Sequence, residues 1–213
     1  MNNDHPDKPH GFLLPEYSLY KKEYRYIAGI DEVGRGPLAG PVMAAAVVLP
    51  PYCELPGIDD SKKLTPLKRE KLYVDIFEAA LSVGIGRVDQ VEIDKINILN
   101  ASLKAMAIAL NNLSCPVEYV LVDGIFPVAT DISQMTLKKG DSKSVLIAAA
   151  SVVAKVTRDK IMEVYHDQYP CYNFARNKGY GTREHLDALK KYGCSPLHRK
   201  TFRGVTEDAL KSV

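Results

Sequence analysis

Two adjacent carboxylates at the end of an apolar run are the residues of this sequence best placed to do chemistry. Asp31 and Glu32 follow the apolar residues 26–30 and lead into the turn Val33-Gly34-Arg35-Gly36. Open α/β sheets place their active-site loops at the carboxyl ends of strands, so this position suits a reaction. Because neighbouring carboxylates repel each other, the pair predicts a bound cation.

Two further acids occupy comparable positions. Asp123 ends the apolar run 119–122, and Asp141 follows Lys139-Gly140 at the start of a long alanine-rich segment. Carboxylates without cysteine or histidine are the donors that magnesium and manganese prefer. If the four acids converge, they predict a two-metal site for phosphoryl transfer. Taken singly, each also fits an ordinary turn acid or, for Asp141, a helix cap.

Five segments of the chain resemble the ribonuclease HII family, the bacterial type 2 ribonucleases H. They occur in the family's order between residues 26 and 203, and all four acidic positions match the family pattern. The segments are 29–41, 60–64, 121–124, 139–159, and 177–182 together with 195–199. The resemblance implies that Asp31, Glu32, Asp123 and Asp141 are catalytic and hold Mn²⁺ or Mg²⁺.

The same resemblance implies how a substrate is read. Residues Gly34, Arg35 and Gly36 would contact the 2′-hydroxyl of a ribonucleotide that adjoins a deoxyribonucleotide, and Tyr180 would stack on the deoxyribose on its 3′ side. This turn also separates the chain from ribonuclease HIII, which lacks it. Candidate phosphate contacts, each by itself more typical of a solvated side chain than of a contact, are Lys62, Lys63, Lys143, Lys155, Lys178 and Arg199.

The activity implied is endonucleolytic hydrolysis. The enzyme would cut the RNA strand of RNA–DNA hybrids and would cut 5′ of single ribonucleotides in duplex DNA, leaving a 3′-hydroxyl and a 5′-phosphate. A monomer is expected. No protein partner is indicated, because residues 206–213 contain no aromatic residue of the kind a clamp-binding tail would carry.

Two other functions are disfavoured by the sequence. The spacing Gly34-x-Gly36-x-x-Ala39 formally matches a dinucleotide-binding fingerprint, but the preceding acids would repel phosphate and Pro41 would interrupt the required helix. The sequence also contains no P-loop motif. A non-catalytic protein that binds RNA–DNA hybrids is disfavoured, because an acidic pocket without metal would repel the nucleic acid.

Composition predicts a cytoplasmic protein without membrane spans. The chain has 213 residues, of which 46% are hydrophobic, and its four cysteines are too widely spaced to indicate a zinc site or a disulfide framework. The first 137 residues hold 13 Lys and Arg against 18 Asp and Glu, whereas the rest hold 15 against 8. This asymmetry fits a phosphate-binding surface beside a metal site, and it fits solvated helix faces equally well.

The hydrophobic pattern predicts an α/β domain with a mixed sheet, since an opening hairpin is followed by alternating helices and strands. The family resemblance implies the ribonuclease H-like fold, with five strands and a helical C-terminal extension from about residue 170. Residues 1–24 are expected to form an N-terminal extension and 25–213 the catalytic domain.

The predicted elements follow from apolar periodicity and from capping residues. Thr65 and Pro66 begin a helix that extends to Leu81, and the apolar stripe Leu99, Leu103, Met106 and Leu110 predicts a helix that covers the sheet. Predicted strands are 26–31, 42–49, 82–88, 119–122 and 134–137. Predicted helices also include 142–169, 182–191 and 206–210, with a loop over 170–180.

Overall fold

A computed structural model of the protein describes residues 15–58 and 64–205, and within them it has five strands and six α-helices. The strands are Ile27–Val33 (β1), Val42–Val48 (β2), Ser82–Val88 (β3), Tyr119–Asp123 (β4) and Gln134–Leu137 (β5). The helices are Pro15–Tyr20 (α1), Pro66–Ala79 (α2), Gln90–Asn111 (α3), Val145–Gln168 (α4), Phe174–Asn177 (α5) and Arg183–Tyr192 (α6). The predicted five-stranded mixed sheet with flanking helices is confirmed.

The sheet order is β3-β2-β1-β4-β5, with β1 at its centre. Strand β1 runs antiparallel to β2 and parallel to β4. In the parallel pair Ile30 lies opposite Val122, so the residues that follow them, Asp31 and Asp123, lie side by side near the carboxyl ends of the two strands. The register of two central strands therefore brings together acids that are far apart in sequence.

Helices cover both faces of the sheet. The apolar side chains of α4 form one core with residues such as Ile27 and Leu121, and those of α3 form a second core with Ala28 and Ile30. Strand β2 is buried along its whole length, which explains its uninterrupted run of small and branched apolar residues. No helix among the described residues has the length and apolar character needed to cross a membrane.

Gly29 allows α4 to lie directly against β1. A Cβ atom on Gly29 would be 2.2 Å from the backbone carbon of Leu146, and backbone atoms cannot move aside as a flexible side chain can. We therefore expect Gly29→Ala to lower the free energy of unfolding by about 3 kcal/mol or more, and to lower activity further by moving α4 relative to the strand of Asp31. Chemical denaturation and cleavage assays on the folded fraction measure the two effects.

Gly86→Ala is the matched control for this variant. A Cβ atom there would be 1.9 Å from the carbonyl oxygen of Ala105, so α3 is displaced on the other face of the sheet, away from α4. We expect a comparable loss of stability but a smaller loss of activity per folded molecule. Equal losses of activity in the two variants would contradict a specific role for the contact between β1 and α4.

The predicted apolar stripe of α3 only partly covers the sheet. Met106 and Leu110 are buried in the core between α3 and the sheet, and Leu103 packs against that core. Leu99, Leu103 and Met106 also line a cleft next to the acids. The helix is also interrupted at Asn97, whose φ of 65° is left-handed, so the predicted stripe belongs to the second of two helical segments.

The N-terminal helix α1 is attached to the start of α4. Leu19 and Tyr20 are buried in the core on the α4 side, and the Glu16 carboxylate accepts a hydrogen bond of 2.9 Å from the backbone N–H of Val145. Val145 is the first residue of α4, so Glu16 compensates one unpaired donor of that helix end. Burial of the carboxyl group raises its pKa.

Several predicted boundaries are wrong. Strand β1 continues to Val33 rather than ending at 31, and α4 begins at Val145 rather than at 142. Leu81 does not belong to α2, which ends at Ala79; its N–H instead donates to the carbonyl oxygen of Val48 as the chain enters β3. Residues 170–180 are not simply a loop, because they contain a 3₁₀ turn at Pro170–Tyr172 and the helix α5. The predicted helix 206–210 lies outside the described residues.

Candidate active site

Three of the four predicted acids form a compact cluster at the ends of β1 and β4. Among the described residues, Asp31, Glu32 and Asp123 each present a carboxylate oxygen within 4.8 Å of the others. Asp31 is buried and the other two are partly buried, so the cluster faces solvent from one side. This is a set of oxygen donors that a hard divalent cation could occupy.

The electrostatics of the cluster favour a cation. Burial, followed by the neighbouring carboxylates of Glu32 and Asp123, raises the pKa of Asp31 well above its usual range. Burial also raises the pKa of Glu32, although the Arg35 guanidinium 3.2 Å away opposes this shift. A bound divalent ion would relieve the repulsion between these carboxylates.

Hydrogen bonds hold the cluster in place. The Glu32 N–H donates to Asp31 Oδ1 at 2.7 Å, and the Ser151 hydroxyl of α4 also bonds to Asp31. The Gly140 N–H donates to Asp123 Oδ1 at 2.6 Å. Gly140 precedes Asp141 at the start of a 3₁₀ turn, Gly140–Ser142. Asp141 is thus buried next to the cluster, although it is not one of its three mutually close acids.

The predicted substrate turn and Tyr180 lie together. Gly34 continues from β1 with a φ of 93°, and a Cβ atom on it would be 2.9 Å from the carbonyl oxygen of Pro41, so this position requires glycine. The Tyr180 ring lies 3.5 Å from the position that a Cβ atom of Gly36 would take. Because the Tyr180 side chain is 45% exposed, its ring is available to a ligand at this turn.

Two buried arginines support this turn, and sequence reasoning did not identify this role. Arg199 donates to the carbonyl oxygens of Gly34, Arg35 and Gly40 at 2.6–3.0 Å. Arg158 donates to three other carbonyl oxygens around the turn, those of Ala39, Pro41 and Lys178. Nothing in the sequence distinguishes a buried arginine from an exposed one, because burial is set by tertiary contacts.

The prediction that Arg199 contacts phosphate is therefore wrong. Its side chain is fully buried, and its guanidinium is engaged by backbone carbonyl oxygens. Burial lowers its pKa to about 9, with the nearby Arg158 adding to the shift. Arg199 thus acts from beneath the turn rather than on its surface.

The predicted lysines differ in their surroundings. Lys155 and Lys178 form ion pairs with Asp159 and Glu163, at 2.8 and 2.7 Å. Lys143 is partly buried two residues after Asp141. The remaining candidates, Lys62 and Lys63, lie outside the described residues.

A cleft of about 260 Å³ opens beside the acids. Its lining combines the charged residues Glu32, Arg35 and Asp123 with a larger set of apolar residues. The apolar residues are Leu99, Leu103 and Met106 of α3 together with Ile125 and Phe126, which follow β4; Ser102 and Gly124 complete the lining. A metal-binding edge next to an apolar wall can accept a ligand that has both a phosphate and a sugar or base.

Comparisons with known proteins agree with this architecture. The family described as Ribonuclease HII matches residues 28–205. A Ribonuclease HII of Geobacter sulfurreducens is 57% identical over 187 residues, which cover 88% of this chain and 86% of the relative.

Two solved structures of archaeal proteins have the same fold. Ribonuclease H2 of Pyrococcus horikoshii OT3 superposes with a TM-score of 0.71 at 27% identity, over 87% of this chain and 97% of that one. RNase HII of Archaeoglobus fulgidus, in a complex with PCNA, gives a TM-score of 0.69 at 25% identity, over 86% and 98%. The fold and the extent of the sequence match place this chain in the ribonuclease HII family, as a hydrolytic endonuclease of the ribonuclease H type that acts on RNA–DNA hybrids.

Proposed function

We propose that this ribonuclease H also cuts duplex DNA on the 5′ side of a single embedded ribonucleotide, leaving a 3′-hydroxyl and a 5′-phosphate. The observation that carries the proposal is the position of the Gly34–Gly36 turn. It follows directly from the strand that bears Asp31 and Glu32, and it has the Tyr180 ring beside it. A sugar read by the turn would therefore have its phosphate next to the acids.

The acids suit a pair of divalent ions, magnesium or manganese. Asp31, Glu32 and Asp123 would hold them, with Asp141 completing the set from the adjacent 3₁₀ turn. All the donors are carboxylate oxygens, which matches the preference of hard cations. When bound, two such ions supply activation of water and stabilisation of the leaving oxygen.

The turn would distinguish a ribose by its 2′-hydroxyl. Arg199 engages the carbonyl oxygens of Gly34 and Arg35 from beneath, so the groups that the turn would offer to a substrate are its N–H donors. A 2′-hydroxyl oxygen can accept from such a donor, whereas deoxyribose offers no oxygen there. Glycine at positions 34 and 36 permits the close approach of backbone and sugar.

Tyr180 would contact the sugar next to the ribonucleotide. Its ring is adjacent to Gly36 and partly exposed, so it can stack on the deoxyribose that lies 3′ of the ribonucleotide. The turn would thus bind the ribose, and the Tyr180 ring would bind the deoxyribose that follows it. Together they would recognise the junction from RNA to DNA.

The setting we propose is a cytoplasmic monomer whose partners are RNA–DNA hybrids and ribonucleotide-containing duplex DNA. Residues 1–24 would be an extension of a catalytic domain spanning 25–213. The PCNA complex belongs to the archaeal relative. Residues 206–213, which lack the aromatic residue of a clamp-binding tail, lie outside the described residues.

An end-labelled DNA duplex with one embedded ribonucleotide tests the proposal. We expect one cut, on the 5′ side of the ribonucleotide, in the presence of Mg²⁺ or Mn²⁺ and none with chelator. An all-DNA duplex of the same sequence should remain intact, and a long RNA–DNA hybrid serves as the positive control. Cleavage of the hybrid but not of the single-ribonucleotide duplex would refute the junction-reading role of the turn and Tyr180.

A further inference from the structure

Two buried histidines contact each other beneath the substrate turn. His185, on α6, and His198 are 0% and 1% exposed, and their Nε2 atoms are 3.0 Å apart. The catalytic cluster does not include them. Their contact joins two segments of the chain. The segment of His198 contacts the residues that follow the Gly34–Gly36 turn, and His185 contacts the backbone of Tyr180.

The hydrogen bonds of the pair determine the tautomer of each neutral ring. Two groups of Ser195 approach His198 Nδ1, the backbone N–H at 3.0 Å and the hydroxyl oxygen at 2.9 Å. The backbone N–H can only donate, so Nδ1 is an acceptor, the hydroxyl donates to it as well, and the proton of His198 is on Nε2. His198 Nε2–H then donates to His185 Nε2, which leaves the proton of His185 on Nδ1. That Nδ1–H donates to the carbonyl oxygen of Tyr180, 2.9 Å away. These bonds form a relay that runs in one direction, from Ser195 to Tyr180.

The surroundings keep both rings neutral and in one orientation. Burial lowers the pKa of His185, and burial together with His185 lowers the pKa of His198 to about 4. The Tyr172 ring packs against His198 with centroids 4.8 Å apart, and the Phe174 ring packs against His185 at 5.4 Å. An added proton would place two N–H groups face to face or point one at the Ser195 N–H, so the relay requires neutral rings.

One end of the relay is attached to the chain around the Gly34–Gly36 turn, and the other end is attached to Tyr180. At one end, His198 pairs with Ala39 in an isolated bridge, and the Arg199 N–H donates to the Leu38 carbonyl oxygen at 2.8 Å. Arg199 also engages the carbonyl oxygen of Gly34. At the other end, His185 bonds to the backbone of Tyr180 itself. The relay is thus a side-chain connection between the Gly34–Gly36 turn and the Tyr180 loop.

We propose that the His185–His198 relay positions the Tyr180 ring relative to the Gly34–Gly36 turn, and so sets the preference for a ribonucleotide embedded in DNA. The two histidines are positioning residues that do not touch the substrate. This inference rests on the proposed function, in which the Gly34–Gly36 turn and Tyr180 together recognise the junction. A long RNA–DNA hybrid offers a 2′-hydroxyl at every nucleotide of its RNA strand, so its cleavage depends less on this alignment.

Asparagine substitutions remove the central bond while they keep the bond of each residue to its backbone partner. In His185→Asn the amide nitrogen takes the place of Nδ1 and can still donate to Tyr180, while in His198→Asn the amide oxygen can still accept from Ser195. Each variant lacks the atom at Nε2. Leu189→Ala is the control, because Leu189 is buried in the same small core on α6 but is not part of the relay.

The first readout compares two substrates. We expect each Asn variant to lose about ten-fold in kcat/KM for the single-ribonucleotide duplex relative to the long hybrid. Leu189→Ala, even if it lowers the melting temperature as much, should leave the ratio between the substrates unchanged. An unchanged ratio in the Asn variants, or an equal change in Leu189→Ala, would overturn the proposal.

The second readout is ¹⁵N NMR of the imidazole rings in the wild-type protein, which does not depend on activity. We expect the Nε2–H tautomer for His198 and the Nδ1–H tautomer for His185, and the opposite tautomers would refute the relay. If the wild-type enzyme does not cut the single-ribonucleotide duplex, the proposed function fails, and with it the stated effect on preference. The tautomers would then decide separately whether the relay exists.

Discussion

Replacing Asp31 with asparagine should abolish cleavage and, at the same time, raise the melting temperature of the metal-free protein. Activity should fall by more than about 100-fold, since an amide is a weaker ligand for a divalent cation than a carboxylate and carries no charge. Stability should rise because the buried Asp31 carboxyl is crowded by the carboxylates of Glu32 and Asp123. Asparagine retains an oxygen that can accept from the Glu32 N–H, so the variant differs mainly in charge.

Thermal unfolding with and without metal separates these effects. Adding Mn²⁺ or Mg²⁺ should stabilise the wild type, by about 2.7 kcal/mol at a metal concentration 100 times the Kd. For a chain of this size each kcal/mol corresponds to roughly 2–4 °C in melting temperature. The Asp31→Asn variant should start from a higher melting temperature without metal and gain less from it.

Asp131→Asn is the matched control, because Asp131 is an exposed acid outside the cluster. We expect wild-type activity and a wild-type response to metal from this variant. The assignment of Asp31 as a metal ligand is wrong if Asp31→Asn cuts hybrids at a rate close to that of the control. It is also wrong if both variants gain equally from added metal.

Tyr180→Ala should lose most of the activity on a single embedded ribonucleotide. Stacking of an aromatic ring on a base contributes about 1–3 kcal/mol, and loss of a contact of similar strength with the deoxyribose should lower kcat/KM by about 10-fold to 100-fold. Tyr180→Phe retains the ring and should remain close to the wild type if the face of the ring is what matters. Single-turnover cleavage of the end-labelled duplex measures both variants.

Tyr192→Ala provides the control for removing a surface tyrosine. Tyr192 is 52% exposed, similar to the 45% of Tyr180, and lies at the end of α6. It should retain full activity on both substrates. An unchanged rate for Tyr180→Ala on the single-ribonucleotide duplex would remove Tyr180 from the proposed recognition of the junction.

Local sequence patterns were sufficient for most of the secondary structure. The cap formed by Thr65 and Pro66 begins α2 as predicted, and the Thr182 side chain caps α6. The strands β3 and β5 have the predicted bounds. These features depend on interactions between residues a few positions apart, so the sequence contains their signal. The end of α2 was misplaced because Leu81 continues the helical spacing but bonds to β2.

The acids show the difference between features that a local sequence pattern encodes and features that depend on strand pairing. The sequence places Asp31, Glu32 and Asp123 at the ends of apolar strands, and the family motifs made them candidates for one site. Only the register of β1 with β4 placed them within 4.8 Å of one another. Register is a property of two strands together, so no local pattern in either strand contains it.

The buried side chains that support the substrate turn could not be recognised from the sequence, because their positions depend on tertiary contacts. The sequence determined the turn itself, because its glycines and its position after β1 are local features. It could not distinguish Arg199, which is buried beneath the turn, from a lysine or arginine on the surface, and it offered no reason for His185 to meet His198. These side chains are polar and come from distant segments. Their burial is possible only because the fold surrounds them with carbonyl oxygens and with one another, and those partners exist only once the chain has folded.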